Sequence, residues 1–456
     1  MLELIDGISR QPFMYHFGLI VTVMLILESS FRLGQLRWGF AGLTYCTIGL
    51  WYFLDPAYRP EDYETKFTHE ELNAAYLQVI IFLLSFRLSM EVFAPGTPSR
   101  VLREFDPRVL ANQKTAKVLI LMWIVLFTIG VSRMDFRVIQ ALFPLNGRWE
   151  TLWARPRLGG TTDFLVSIGM YCYQITCAMF GLVAVSTVSR RVRRTMLLMI
   201  TLTWPMFLLS GTRHHVLAVG MPSILAILII HRWSRAKQIA FLGTIAVCLN
   251  FAFLIVIEYR DSGIGGFFEK NYTVEESEKK RKHLGLNMTQ ELCYLIRYQE
   301  QDQISVEWGG NYWAHLVNVI PRALWADKPF PGRDFSILRV GFFQGKVAAT
   351  ISHGIVGQGV TNFGTFVGPI APAILLTLLC SWGCRLPTKG NQFLRVCLVL
   401  VLLGKIPNLG RDITLFALWP IIFGTVALMI VESNSSRRTS TTAKRQQALL
   451  HRKPLL

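Results

Sequence analysis

Apolar runs near twenty residues long recur along this chain and alternate with polar connections. They cover 13–31, 38–54, 74–94, 116–132, 164–187, 195–210, 214–231, 238–257, 365–383, 392–408 and 412–431. A helix of about twenty apolar residues matches the thickness of a bilayer's hydrocarbon core. Open strands are excluded at that depth, because lipid cannot satisfy an unpaired backbone N–H or C=O. The pattern therefore predicts an all-α, polytopic membrane protein with about eleven transmembrane helices. The first run, Phe13 to Phe31, has no basic leader and no small-residue cleavage site, so it reads as a retained span.

The polar intervals differ in kind. Residues 1–431 form one membrane domain, and 258–352 is a large late loop within it. Inside that loop, 274–303 is charged enough for a surface helix. The stretch 311–320 predicts a short interfacial helix, with Trp313 and Trp325 as anchors. The stretch 133–163 mixes Arg, Trp and Gly and places part of itself at the interface. The acidic 55–73 connection reads as an ordinary solvated loop. The tail at 432–456 is rich in Ser, Thr, Arg and Lys and predicts a disordered segment held near anionic lipid heads.

Charge placement sets the orientation. Basic residues gather on every second connection: Arg32 and Arg37; Arg100, Arg103, Arg108, Lys114 and Lys117; Arg190, Arg191, Arg193 and Arg194; Arg232, Arg235 and Lys237; Arg385 and Lys389. The tail from Arg437 falls on the same side. The positive-inside rule then puts the N-terminus outside and the C-terminus in the cytosol, and makes 258–352 extracytoplasmic.

Composition narrows the function classes. The chain is 52% hydrophobic and only 17% charged, with net charge +18. Most of its eight cysteines lie inside apolar runs, with Cys293 alone in a long loop, so no disulfide framework is expected. Cys380 and Cys384 have the wrong spacing for a CxxC motif and read as packing residues. His16, His69, His231, His315 and His451 are scattered. No HExxH, paired CxxC, P-loop, GxGxxG or GxSxG pattern occurs, so neither metal nor cofactor is expected and nucleotide-driven work is excluded. Nucleic acid is not an expected partner.

What remains is positive charge on the outer face, where topology does not require it. The natural explanation is an anionic substrate. In the SGTRHH turn, Arg213 must sit at the membrane surface, flanked by His214 and His215 as proton carriers. A snorkelling arginine is the ordinary alternative. EYRDSGIGG supplies Arg260 to grip a phosphate and Asp261 to orient it or act as a base; a local ion pair at a helix end is the alternative. In IPRALWADKPFPGRD, three prolines stiffen the approach of Arg322, Lys328 and Arg333. SHGIVGQGVTNFGTFVG adds His353 as a contact, with glycines that allow either close backbone approach to a ligand or tight re-entry into the membrane. NLGRD places Arg411 at the outer surface. Mid-span regions look nearly charge-free.

The outer Arg turn, the late large loop, its IPRALWADKPFPGRD core and the Gly-rich NFG segment together resemble the O-antigen polymerase (Wzy-like) family of bacterial inner-membrane proteins. The resemblance covers roughly 205–415, the span number and the large loop. Where members often carry an acid in the Gly-rich segment, this chain has Gln358. The resemblance implies a GT-C-like architecture and polymerisation of oligosaccharide repeat units on undecaprenyl pyrophosphate. It implies Arg213, Arg322 and Arg411 as diphosphate-neutralising groups, with Arg260 and Lys328 assisting and Asp261 or His353 taking the acceptor proton. Trp325 would stack on a sugar face, beside Trp313 and Phe330. Membrane lipids, a chain-length regulator and a flippase are the implied partners. The rival readings are a ligase that moves finished glycan to a lipid or protein, a lipid-linked oligosaccharide transporter or flippase, and a structural scaffold.

Overall fold

The computed structural model describes residues 2–99, 113–144, 151–153, 163–209, 213–231, 233–258, 287–317, 320, 324–343, 346–347, 351–388, 392–414, 418, 421–430 and 432–433. The chain begins with α1 (Leu2–Ser9), α2 (Phe13–Phe31), α3 (Leu36–Tyr52), α4 (Leu54–Tyr58), α5 (Pro60–Glu64) and α6 (His69–Phe93). It continues through α7 (Gln113–Ser132), α8 (Val138–Leu142), α9 (Asp163–Ser186), α10 (Arg190–Leu209), α11 (Arg213–Ile230) and α12 (Arg235–Glu258). Then follow α13 (Met288–Glu300), α14 (Gly310–Val317), α15 (Arg333–Val340), the hairpin β1 (Phe342–Phe343) and β2 (Lys346–Val347), α16 (Gly354–Phe363), α17 (Ile370–Arg385) and α18 (Gln392–Leu409). The last described helix is α19 (Ile421–Ile430).

Five of these helices are long and apolar enough to cross a membrane: Phe13–Phe31, His69–Phe93, Gln113–Ser132, Ile168–Ser186 and Arg190–Leu209. Shorter apolar helices run over His215–Leu228, Ala236–Leu249, Ile370–Arg385 and Ile421–Ile430. The fold is that of a helical membrane protein. Each predicted apolar run overlaps a helix among the described residues, and the last predicted run opens outside one. Asp412 is thereby left in a turn rather than inside a helix.

On α2 the large groups Phe13, Ile20 and Met24 face outward, while Gly18, Thr22 and Ser29 are buried. Small inward residues let backbones approach closely where lipid offers no hydrophobic drive between helices. Gly42 and Gly49 of α3 accordingly pack on Ser29 and Thr22 of α2. One core joins α2, α3, α6, α13, α16, α17 and α18; a second joins α7, α9, α10 and α11.

Paired contacts give the helix directions. Met14 meets Asn73 and Glu28 meets Arg87, so α2 and α6 run parallel. Phe366 meets Gln78 and Ser381 meets Phe93, so α17 runs with them. One end of the bundle carries Arg32, Arg37, Arg87, Glu28 and Glu91, whose ion pairs surround the buried Trp38. The opposite, loop-rich end carries α1, α4, α5 and α13–α16.

At that end the 55–73 connection is not a solvated loop. Asp55 is buried and accepts a hydrogen bond from Tyr63 at 2.8 Å, and Tyr63 and Phe67 are themselves buried. The aromatic rings decide this, because Phe67 packs edge-on against Tyr294 of α13. Thr68 and Glu71 form a capping box at the start of α6, and Glu71 also pairs with Arg297 of α13. The charged stretch predicted as a surface helix is thus α13, half sunk into the protein, with Cys293 buried in it rather than lying in a loop.

Glu291 of α13 is buried and accepts two hydrogen bonds from Arg339 of α15, whose guanidinium lies 3.8 Å over Tyr294. Arg339→Met removes the only cation paired with Glu291 among the described residues. Stranding a buried carboxylate costs about 3–5 kcal/mol. The variant should therefore melt well below wild type in detergent by scanning fluorimetry, whereas the surface pair Arg10–Asp6 should be dispensable.

Candidate functional site

The polar chemistry of the loop-rich end is organised by α16. Its sequence, GIVGQGVTNF, reads as a glycine loop, yet it forms a helix whose residues 354–362 are all buried. The glycines serve packing. Gly354 has φ +79° and touches the Tyr52 hydroxyl, leaving no space for a Cβ. Gly359 sits directly on the Gly368 carbonyl, which folds the 364–368 turn back over the helix.

Neighbouring elements tie themselves to α16 through single polar groups. Tyr52 of α3 accepts the Val356 N–H at 3.1 Å. Gln299 of α13 donates to the Val360 carbonyl at 3.1 Å. Glu307 donates its N–H to the Thr361 carbonyl at 3.0 Å, and Asn311 of α14 donates its N–H to Asn362 at 3.1 Å. Gln358 donates to the Ile413 carbonyl at 3.0 Å and accepts the Ile413 N–H at 3.0 Å. That two-way clamp needs a donor and an acceptor on one side chain, so an ionised acid cannot replace it.

The clamp fixes the Gly410–Thr414 turn beside the start of α16. Asp412 is half-buried, within hydrogen-bonding reach of the Ser352 hydroxyl and next to Arg411. Burial pushes its carboxyl up to about 6, against the opposing pull of Arg411 and Ser352. Its field reaches the hydroxyls of Tyr52 and Tyr312. His353 is buried at the N-cap of α16, its Nε2 paired with Thr361 Oγ1 at 3.0 Å and its ring edge-on to Phe335. Burial, and then the nearby His315, hold its pKa down to about 4, so it is neutral at pH 7. His315 is lowered to about 4 by burial as well. Sequence spacing gave no hint that His315 lies near enough to act on His353. Burial, reinforced by Asp334 and countered by Asn311, raises Glu307 to about 7.

The expected site residues fall as follows. Arg411 is exposed on the turn beside Asp412. Arg213 is the first residue of α11, and its side chain, like that of His214, lies outside the described residues. His215 is half-buried, edge-on to Phe207. Gly404 of α18 packs on Met221 and Pro222 of α11. Counted from that contact, Arg213 is eight residues back toward the start of α11, and Arg411 is seven residues on, just past the end of α18. Lys328 is buried, and its ammonium donates to the Ile320 carbonyl at 2.7 Å. Arg333 and Asp334 are exposed at the start of α15, and Trp325 is partly exposed. Arg260, Asp261 and Arg322 lie outside the described residues.

One cation departs from the nearly charge-free pattern of the spans, close to the end of its helix. Lys405 is 3% exposed on α18, one residue from the α11 contact, and no carboxylate pairs with it among the described residues. It is the only Lys, Arg, His, Asp or Glu between 396 and 410, which is the signal that hydropathy alone passes over. No cluster of His, Cys, Asp or Glu able to hold a metal occurs among the described residues. No family model, curated protein or solved structure matches this chain.

Proposed function

We propose that this chain is a metal-independent glycosyltransferase of the bacterial inner membrane, with eleven spans, its N-terminus outside and its loop-rich end facing outward. It polymerises oligosaccharide repeat units carried on undecaprenyl pyrophosphate. The observation that carries this reading is cationic. Lys405 is buried beside the contact of α18 with α11 and has no acid paired to it among the described residues; on the topology proposed here the two helices are antiparallel, which would put Arg213 and Arg411 at one end above it. A permanent guanidinium pairs with phosphate bidentately, and fixed cations stabilise a departing diphosphate without a metal. The exposed face of α14, with Trp313 and Leu316, and the neighbouring Trp308 and Trp325 suit the headgroup layer where a lipid-linked sugar must travel. Arg260, Arg322 and Lys328 assist the diphosphate, and His214, His215 and Arg333 lie around it.

Purified protein in nanodiscs, given undecaprenyl-diphosphate-linked repeat units, should yield a ladder of longer lipid-linked glycans. Transfer only onto a lipid or protein acceptor would indicate the ligase instead. A second reading, a lipid-linked oligosaccharide flippase, is favoured by Lys405 alone, since transport paths carry charge inside the bundle. It predicts movement of substrate between leaflets with no new glycosidic bond.

A further inference from the structure

We infer that Asp412 is the general base of this site, the group that takes the proton from the acceptor sugar's hydroxyl; this rests on the transferase reading above. Four observations meet at its carboxylate. The Gln358–Ile413 clamp holds the turn through both backbone groups of Ile413, the residue after Asp412. The Ser352 hydroxyl lies close enough to favour the ionised carboxylate. Arg411, the adjacent residue, places a cation where a diphosphate must sit next to the acid. Two buried polar atoms close by, Tyr312 Oη and His353 Nδ1, have no partner among the described residues. A sugar presents paired hydroxyls, and such orphan groups suit them.

The chemistry discriminates among the acids and bases at hand. A general base works best when its pKa lies near the working pH. His353, held near 4 with Nε2 committed to Thr361, is the weaker acceptor; Asp412, near 6, is mostly ionised at pH 7 and still basic enough to receive a proton. The groups facing Asp412 are Arg411 on its own turn, Tyr52 of α3, Tyr312 of α14, and Ser352 ahead of α16. His315 acts on His353, and Lys405 lies about 10 Å further along α18. In the step, the acceptor O–H gives its proton to Asp412 as its oxygen bonds to the donor's anomeric carbon. The bond from that carbon to the diphosphate oxygen breaks, and its electron pair leaves on undecaprenyl diphosphate, faced by Arg411. One displacement inverts the anomeric configuration.

The test is single-turnover glycan extension in nanodiscs between pH 5 and 9, with donor binding measured separately. Wild type should show an acid limb near pH 6. Asp412→Asn should lower the rate about 10²–10⁴-fold and abolish the limb, with donor affinity within about twofold of wild type. Asp412→Glu should recover part of the rate. Ser352→Ala, which removes a hydrogen bond favouring the ionised carboxylate, should move the limb to higher pH. An unchanged rate and profile in Asp412→Asn, a limb unmoved by Ser352→Ala, or a limb that instead follows His353→Gln overturns the assignment. Absence of wild-type extension overturns the transferase reading as well, which separates the two failures.

Discussion

Arg411→Ala should lower polymer formation at least about 100-fold while protein level and detergent melting stay near wild type. The estimate is that for removing one fixed donor from a developing anion. The side chain is exposed and makes no ion pair among the described residues, so the fold loses little without it. Arg213→Ala should behave alike, because on the proposed topology α11 and α18, in contact at Gly404, bring the two positions to one level of the bundle. Arg322→Ala joins them on the sequence reading. The double variant Arg213→Ala with Arg411→Ala should lose less than the sum of the singles in free-energy terms, as expected for groups sharing one ligand. Lysine should rescue poorly, since an ammonium cannot copy the bidentate fork. Polymer of wild-type amount and length from either single variant, run on a lipid-glycan gel, would remove that residue from the diphosphate site.

Gln358→Glu should destabilise the protein strongly and in a pH-dependent way. The wild-type amide gives a proton to the Ile413 carbonyl and receives the Ile413 N–H. An ionised carboxylate keeps the second bond, repels the carbonyl, and carries a charge at a site 1% exposed. A protonated carboxyl restores both bonds, so folding raises the introduced group's pKa above its unfolded value of about 4.3. The sign follows: the penalty is absent below about pH 4.3, grows as pH rises toward the folded pKa, and is complete above it. A rise of about 3 units corresponds to about 4 kcal/mol. Melting temperatures should nearly coincide with wild type at pH 4 and separate widely at pH 8. Equal separation at both pH values would show that the clamp is not what holds the turn. Activity should fall with stability, because the same turn presents Arg411 and Asp412.

These two variants mark what could be read along the chain and what could not. Arg411 was legible: a permanent charge in a short turn between apolar runs stands out by composition alone. Lys405 was equally visible as a lone cation in an apolar run, yet hydropathy averages it away over a window. Gln358 looked like a departure from an acidic pattern, and nothing nearby in sequence announces that its partner is Ile413. Asp412 was in plain sight beside Arg411, but its basicity depends on Ser352 and on burial, which no local pattern encodes. The 55–73 connection failed for the same reason: its acids suggested water, while the decisive contact, Phe67 on Tyr294, spans more than two hundred residues.

By itself the sequence determined that this is a helical membrane protein, where its long apolar helices run, and which turns carry permanent charge. Each of these follows from transfer of residues between water and lipid, a property summed over neighbours in the chain. Only the tertiary structure decided that a glycine-rich stretch becomes a buried helix, that Tyr52 meets Val356 across 304 positions, and that Gln358 pins the turn holding Asp412. Those outcomes depend on which backbone groups must find partners once water is excluded, and such partners are chosen by packing across the whole bundle.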